Sequence, residues 1–434
     1  MSDLYRSTLS ARLAKLPADI PSNINIEDED EEVGDSLGSL PGSGLGPPAM
    51  PSMSHRTRKA KKEPNPAFAP ISAKNFFVQA FQVALPGRKL DCRVYYTPPK
   101  FANGTVMVCQ HGAGYSGLSF ACMAKEITDL SGGECGVLAI DARRHGKTMS
   151  TSDQPDEDLS IGVLVDDFVG VVQTIYPDAQ ASPNLILIGH SMGGSIVTRA
   201  CTILLDRKYT IGGVAVLDVV EGSAIEALPH MNSLLNARPD GFDSVEEAVE
   251  WHLNTKAIRN PTSARISIPA VISPSESSSP IVPPFIWRTP LRSTAPYWQS
   301  WFVGLSHTFL NVRTARLLVL AGTDRLDKEL MIGQMQGKFQ MIVVPGTGHM
   351  LHEDDPTRLA EIMSERLNSL KFMKTPTGPQ VLMLGAQIHA AGGWRLYLEY
   401  FICGIDCSSQ AVVQGYCPTN FEEVLFGYPV GMCI

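Results

Sequence analysis

LILIGHSMGG, residues 185–194, leads four apolar residues directly into a serine flanked by glycines. A short apolar run of this kind is typical of a strand buried on both faces of a parallel sheet. Gly189 to Gly193 then match G-x-S-x-G, the pattern of a tight turn between a strand and a helix. Ser191 is either a turn residue or a nucleophile held up for attack. The apolar strand before it and the amphipathic helix after it favour the nucleophile.

Short apolar runs recur on both sides of this stretch, and helical segments separate several of them. The runs are TVMVCQHGAG (105–114), CGVLAIDARRHG (135–146), IGGVAVLDVVEG (211–222), ARLLVLAGTD (315–324) and KFQMIVVPGTGH (338–349). We expect helices over 158–176 and 193–207, and an antiparallel strand pair from FFVQAFQVAL (76–85) and LDCRVYYTP (90–98). Apolar runs alternating with helices predict an α/β fold, with a mostly parallel central sheet flanked by helices.

Charge and cysteine usage limit the classes of function. The 434 residues carry a formal charge of −8, which argues against nucleic acid as a partner because such binding needs clustered basic charge. Four of the 9 cysteines crowd the last 32 residues without a CxxC pair, so neither a zinc site nor a disulfide framework is expected. We therefore expect no metal and no cofactor. The segment MSDLYRSTLSARLAKLP lacks the apolar core of a signal peptide, which predicts a cytoplasmic or nuclear location.

Residues 1–70 have the composition of a disordered region. They contain the acidic run EDEDEE (27–32), a stretch rich in Gly, Pro and Ser, and the basic run HRTRKAKK (55–62). The basic run is either a nuclear-import signal or a solvated charge cluster. We expect a folded domain over residues 71–372, followed by a C-terminal tail, 373–434.

The tail has two apolar runs, VLMLGAQIHAAGG (381–393) and LYLEYFICGI (396–405), without a clean period. His389, Arg395 and Glu399 would be costly near the centre of a bilayer, so the sequence predicts no membrane span there. The sequence assigns no function to this tail.

A long insert, residues 219–314, separates the sixth and seventh predicted strands. Connections in such folds are usually far shorter, and long insertions are commonly functional or disordered. SVEEAVEWHL (244–253) and APYWQSWFVGLSHTFL (295–310) are expected to be helical, whereas the Pro- and Ser-rich stretch 260–290 predicts a flexible loop. We interpret the insert as a lid above the sheet, with a decorative subdomain as the alternative.

A nucleophilic serine needs a base, which a carboxylate must orient. The histidines downstream of Ser191 are His230, His252, His307, His349, His352 and His389. His349 follows the last apolar strand in a Gly-rich loop, VVPGTGHMLHEDDP (343–356), where this order of elements delivers a base. His352 is expected to lie in a helix, and a structural role for His349 is the alternative.

Two aspartates are candidates for the acid. Asp324 follows the next-to-last strand in LLVLAGTD, and Asp218 follows the strand before it in GVAVLD. Spacing alone slightly favours Asp324, and the alternative stays open at this point.

An oxyanion hole is expected from two backbone N–H groups. Met192, at the start of the helix after Ser191, supplies one, and Ala113 in the loop QHGAGYSG (110–117) supplies the other. His111 is expected to anchor that loop, and the charges of DARRHG (141–146) to support the serine turn.

Several longer stretches resemble the protein phosphatase methylesterase family, a branch of the α/β hydrolases. They are LIGHSMGGSIV, LDVVEGSAIEAL, YWQSWFVGLS, AGTDRLDKELMIGQMQGKFQM and GTGHMLHEDDP. The resemblance covers about residues 70–372. It implies an enzyme without cofactors that removes the methyl ester from the carboxyl-terminal leucine of the protein phosphatase 2A catalytic subunit. It also implies Asp218 rather than Asp324 as the acid, a docking surface larger than the pocket, and an active site that rearranges when the phosphatase docks.

Two other functions remain as alternatives. A general serine esterase or lipase would use the same residues on small or lipid esters without a protein partner. A non-catalytic phosphatase-binding regulator would have no chemical need for an intact Ser191 and His349.

Overall fold

The computed structural model describes residues 63–152, 158–277, 279, 281–322 and 326–373, together with three short strands in the tail. The acidic run, the basic run and Asp324 lie outside the described residues. Pro66–Phe68 already forms a 3₁₀ turn, and the Arg265 side chain donates a hydrogen bond to the Ala69 carbonyl at 2.7 Å. Regular structure therefore begins slightly before residue 71, where we expected the domain to start.

Twelve strands precede the tail in the described part of the chain. They are β1 (Gln79–Leu85), β2 (Leu90–Thr97), β3 (Thr105–Gln110), β4 (Cys135–Ile140), β5 (Met149–Ser150), β6 (Asn184–His190), β7 (Ile211–Leu217), β8 (Gly241–Phe242), β9 (Ile272–Pro274), β10 (Phe285–Trp287), β11 (Ala315–Leu320) and β12 (Gln340–Val343). The tail strands are Leu382–Met383, Ile402–Gly404 and Val412–Gln414, which pair antiparallel with one another.

The helices of the described residues fall between these strands. They are α1 (Ala121–Leu130), α2 (Ile161–Ile175), α3 (Met192–Asp206), α4 (Glu221–Ala237), α5 (Val245–Asn254), α6 (Pro261–Ser267), α7 (Trp298–Phe302), α8 (Leu305–Asn311), α9 (Lys328–Met335), α10 (Leu351–Asp354) and α11 (Pro356–Met373). Further 3₁₀ turns lie at Ala73–Asn75, Pro86–Arg88, Gly117–Phe120, Ile268–Ala270 and Leu291–Tyr297. None of the described helices is both long and apolar enough to span a bilayer.

One mixed sheet organises these elements. Its order is β1-β2-β4-β3-β6-β7-β11-β12, with β5 paired to β2. β2 is antiparallel to β1, β4 and β5, whereas all pairs from β4 to β12 are parallel. This confirms the predicted α/β hydrolase fold. The carboxyl ends of the parallel strands share one edge, which is where such folds carry their sites.

Strand β6 shows why the apolar runs of the central strands are continuous. Leu185 and Leu187 pack into the core cluster that includes residues of α2 and α3. Ile186 and Ile188 pack into the cluster on the other face, with residues of α1 and α11. Because successive side chains point to opposite faces, a strand covered on both sides needs apolar residues throughout.

The insert is more regular than we expected. The stretch 260–290 was predicted to be a flexible loop, but it contains α6 and the strands β9 and β10, which form a small antiparallel sheet with β8. Phe242, Val249 and Ile258 belong to a third core cluster, drawn mostly from the insert but including Met350. The loop prediction was wrong because prolines were counted as breakers, although Pro261 occupies the first helical turn, which it favours.

A carboxylate ties the two ends of the insert together. Glu221, at the start of α4, accepts hydrogen bonds from the backbone N–H groups of Gly304 and Ser306 at 2.8 and 2.9 Å. The Ser306 hydroxyl also donates to Asp327 at 2.6 Å, beside α9. The insert therefore leaves the sheet and returns to it at nearly the same point.

Candidate functional site

The turn between β6 and α3 holds Ser191 in a rare backbone conformation, with φ 52° and ψ −119°. Its N–H donates to the Leu217 carbonyl at 3.0 Å, and its own carbonyl accepts from Gly194 N at 2.8 Å. A positive φ is costly for a residue with a side chain, and such strain is typical of functional sites. The turn lies at the carboxyl edge of the sheet.

Two glycines allow this turn because backbone crosses backbone there. A Cβ on Gly189 would lie 2.2 Å from the Gly193 carbonyl oxygen, and one on Gly193 would lie 2.2 Å from the Gln110 carbonyl oxygen. No side chain fits at either distance. The glycines of the G-x-S-x-G pattern are therefore required by the close approach of α3 to β3 and β6.

Asp218 and His349 form a hydrogen-bonded pair. His349 Nδ1 donates to Asp218 Oδ2 at 2.8 Å, and Ala321 N donates to Asp218 Oδ1 at 2.9 Å. The Asp218 side chain is 3% exposed and that of His349 is 52% exposed. The bond holds the proton on Nδ1, so Nε2 keeps a lone pair that can accept a proton.

His190, next to Ser191 in the chain, holds the His349 backbone in place, and sequence reasoning missed that role. Its Nε2 donates to the His349 carbonyl at 2.8 Å, and its ring centroid lies 4.6 Å from that of His349. Burial lowers the pKa of His190 well below its usual range, so the ring is uncharged. The sequence carries no signal that identifies this role, because a histidine next to the serine has no distinctive spacing. In the described structure Ser191 Oγ makes no hydrogen bond, and His349 makes its side-chain bond to Asp218.

The expected oxyanion donors lie on either side of the serine. Met192 is the first residue of α3, so its N–H has no partner within the helix. Ala113 lies in the loop after β3, and a Cβ on neighbouring Gly112 would lie 3.2 Å from the Ser191 Cβ. The loop backbone therefore runs beside the serine, as an oxyanion loop must.

His111 anchors that loop, as the sequence predicted. Its Nδ1 donates to the Gly112 carbonyl at 2.7 Å, and its Nε2 accepts from Ala142 N at 2.9 Å. Burial lowers the pKa of His111 well below its usual value, which keeps the ring neutral and the accepting nitrogen free of a proton.

The remaining candidate bases lie elsewhere or are buried. His352 is fully buried behind His190, with ring centroids 4.4 Å apart, and burial lowers its pKa to about 3. His252 donates to the Ala248 carbonyl within α5, and His307 pairs with Glu329 on the surface. His230 is exposed on α4, and His389 lies outside the described residues.

The charged residues of DARRHG (141–146) hold together the loops next to the site. Asp141 accepts from Gly117 N at 2.6 Å and from Lys147 N at 2.8 Å, and burial raises its pKa to about 6. Arg143 forms a buried ion pair with Asp167 at 2.6 Å. These bonds fix the loop after β4 against the residues that follow the oxyanion loop.

A buried carboxyl group lies directly behind the His349 loop. Glu353 in α10 accepts from the Ser267 hydroxyl at 2.6 Å, and the Ser263 hydroxyl donates to its backbone carbonyl at 2.8 Å. Its other carboxyl oxygen has no partner among the described residues. Burial, reinforced by nearby Asp354, raises the pKa of Glu353 to about 8, so the group is largely protonated at neutral pH. Among the described residues no group of three or more His, Cys, Asp or Glu side chains could hold a metal ion.

Comparison with known proteins finds relatives that are similar over most of the chain. The alpha/beta hydrolase family matches residues 106–362. A protein of Cryptococcus neoformans called protein phosphatase methylesterase 1 is 42% identical, over 90% of this chain and 96% of its own length. Proteins of the same name from Aspergillus fumigatus and Schizosaccharomyces pombe are 39% and 41% identical, over 84% and 62% of this chain. The similarity at 90% coverage extends beyond residues 70–372, to which we had limited it.

A solved structure shares the fold. The crystal structure of E-2-(acetamidomethylene)succinate hydrolase superposes with a TM-score of 0.52 at 18% identity, covering 67% of this chain and all of that one. At such identity the likeness supports the fold alone.

Gly189→Ala should disrupt the serine turn. The added methyl group would lie 2.2 Å from a carbonyl oxygen, so β6 and α3 must separate. We expect a loss of roughly 1–3 kcal/mol in the free energy of unfolding, measured with urea, and of most ester hydrolysis. Gly162→Ala in α2 is the matched control, because nothing lies within 4 Å of its Cβ position. Wild-type activity in Gly189→Ala would contradict the close approach.

Glu353→Gln should change how stability depends on pH. Because the pKa of Glu353 is about 8 in the folded chain and 4.5 ordinarily, folding takes up a proton between these values. The free energy of unfolding should therefore fall as pH rises through this window, by up to about 1.4 kcal/mol per pH unit. Urea unfolding from pH 5 to 8 should show a flatter profile for Glu353→Gln. The exposed Glu226→Gln should keep the wild-type slope, and an unchanged slope in Glu353→Gln would refute the assignment.

Proposed function

The chain belongs to the protein phosphatase methylesterase family, and we propose that it hydrolyses the methyl ester on the carboxyl-terminal leucine of the protein phosphatase 2A catalytic subunit. The observation that carries this proposal is the 2.8 Å bond between His349 and Asp218 beside a serine on a strained turn, in a chain 42% identical to a protein phosphatase methylesterase 1. We propose Ser191 as nucleophile, His349 as base and Asp218 as the orienting acid.

The first half of the reaction forms an acyl-enzyme. His349 Nε2 takes the Ser191 proton as Oγ attacks the ester carbonyl, and Asp218 stabilises the resulting imidazolium. Ser191 Oγ and His349 Nε2 are not hydrogen-bonded in the described structure, so this transfer requires their bond to form when substrate binds, as catalytic hydrogen bonds commonly do. The N–H groups of Met192 and Ala113 then stabilise the oxyanion, and such a donor contributes about 3–4 kcal/mol in other enzymes.

The second half releases both products. The bond from the carbonyl carbon to the methoxy oxygen breaks, and His349 gives that oxygen its proton, so methanol leaves. A water molecule then loses its proton to His349 and attacks the acyl-enzyme, which frees the carboxylate and restores the Ser191 hydroxyl.

A methyl group offers little binding energy, so the selectivity must come from the polypeptide that carries the ester. This consideration favours a protein substrate over the small or lipid esters of a general esterase. A non-catalytic regulator would not need the Asp218–His349 bond, but binding and catalysis are compatible, and we propose that this chain does both. We also propose a cytoplasmic or nuclear location, with residues 55–62 as the candidate import signal.

Ser191→Ala should abolish methanol release from carboxymethylated phosphatase 2A core enzyme. Loss of the nucleophile costs on the order of 10⁶ in kcat in a serine hydrolase that acts through a triad. A short chromogenic ester serves as parallel substrate, and pull-down of the phosphatase by Ser191→Ala tests retained binding. Ser195→Ala is the matched control, since this buried hydroxyl on α3 has no hydrogen-bond partner among the described residues. Rapid hydrolysis of the small ester, with none of the phosphatase, would refute the methylesterase proposal and keep the esterase alternative.

Asp218→Asn and Asp324→Asn together test the acid. Asn at the acid position favours the wrong tautomer of the histidine, and this lowers kcat by about 10⁴ in a comparable triad. We expect a loss of this size in Asp218→Asn and near-wild-type methanol release in Asp324→Asn. The reverse result would reassign the acid to Asp324.

A further inference from the structure

A cavity of about 570 Å³ lies beside the loop after β4, and the mechanism does not use it. Five of its lining residues are cationic, namely Arg93, Arg143, Arg144, Lys147 and Arg288, and no described lining residue is acidic. We call it the cationic cavity. Such a concentration of positive charge stands out in a chain whose formal charge is −8.

Three of these cations have no ion pair within the described part of the chain. Arg288 donates to the carbonyls of Ala270 and Ile272 at 3.2 and 3.0 Å, which are neutral partners. Arg93 lies over the Tyr95 ring at 5.3 Å, with its Nε buried and unpartnered. Lys147 is exposed. The buried Asp141 carboxylate offsets part of the Arg93 charge, whereas the charges of Arg288 and Lys147 remain available to an anionic ligand.

The cationic cavity lies close to the oxyanion loop. The Thr289 hydroxyl donates to the Arg144 carbonyl at 2.9 Å, which fixes the segment after Arg288 against the cavity. Three residues beyond Arg288, Leu291 packs on Gly114, whose Cβ position is 2.8 Å from the Leu291 Cδ1. Three residues of chain span at most about 11 Å. The segment from Arg288 to Leu291 therefore joins the cavity to the oxyanion loop, which runs beside Ser191.

A second cavity of about 620 Å³ lies next to the first, since Arg93 and Lys147 line both. The second cavity is lined largely by apolar groups, including Phe77, Leu118 and Ile266. Each of these neighbouring cavities is far larger than a single phosphate, and their linings are mixed in chemistry. These dimensions suit an extended polypeptide with acidic and apolar side chains better than a small anion.

We propose that the cationic cavity binds an acidic segment of the phosphatase substrate and helps to select it. This inference rests on the proposed function and adds a docking site to it. Carboxylates of the segment would form charge-assisted hydrogen bonds with Arg93, Lys147 and Arg288. Attraction between oppositely charged surfaces also speeds association, so the contribution of the cavity to substrate binding should depend on the salt concentration.

Lys147→Glu tests the proposal, because the side chain is exposed and its backbone bond to Asp141 survives the change. We expect the KM for methylated phosphatase core enzyme to rise about tenfold at low salt, with kcat and hydrolysis of a short chromogenic ester unchanged. Added salt should narrow the difference from wild type. The matched control is Lys338→Glu, the same charge change at an exposed residue beside the start of β12, near the opposite edge of the sheet.

The outcomes separate this inference from the proposed function. Normal demethylation by the wild type with an unchanged KM in Lys147→Glu would overturn the docking site alone. An equal rise of KM in Lys338→Glu would assign the effect to net charge and would also overturn the docking site. If inorganic phosphate binds the wild type but not Lys147→Glu, and the KM is unchanged, the cavity takes a small anion instead. Absence of demethylation by the wild type would overturn both proposals.

Discussion

The close passage of α3 across the ends of β3 and β6 is the constraint on which the site depends. Backbone atoms meet there at distances that exclude even a methyl group at Gly189 and Gly193. This contact forces Ser191 into its positive-φ conformation and places the start of α3 beside the oxyanion loop. The parallel sheet supplies the rest, because β7 ends next to β6 and delivers Asp218 to the same edge. Close packing of the backbone thus determines where the reactive groups lie.

Much of this could be predicted from sequence, because the signals are local. Apolar runs identified the buried strands, and G-x-S-x-G identified the serine turn. Spacing slightly favoured Asp324 over Asp218, since each follows an apolar run predicted to be a parallel strand, and so weak a local preference cannot decide which carboxylate the histidine loop meets. The bond from His349 to Asp218 comes from two loops 131 residues apart, and no local pattern records such a pairing.

The failures have physical causes of the same kind. Helix α4 was not among the predicted helices, and Pro229 is accommodated inside it. His190 was given no role because its bond to the His349 carbonyl is a tertiary contact. The stretch 260–290 was taken as a loop, although its strands pair with β8 at a distance in sequence that no turn signal conveys. Local propensity was overruled in each case by contacts made elsewhere in the fold.

The carboxylate of Glu221 has a consequence for how such a chain can change over evolutionary time. It holds Gly304 and Ser306 beside the start of α4. The residues between Glu221 and Gly304 therefore form an insert whose two ends lie together. The entropy of closing such an insert grows only slowly with its length. Insertions or deletions in this insert, away from Ser263, Ser267 and Leu291, which contact the loops of the site, would therefore leave Asp218 undisturbed. New recognition surfaces can be gained there while the chemistry is inherited unchanged.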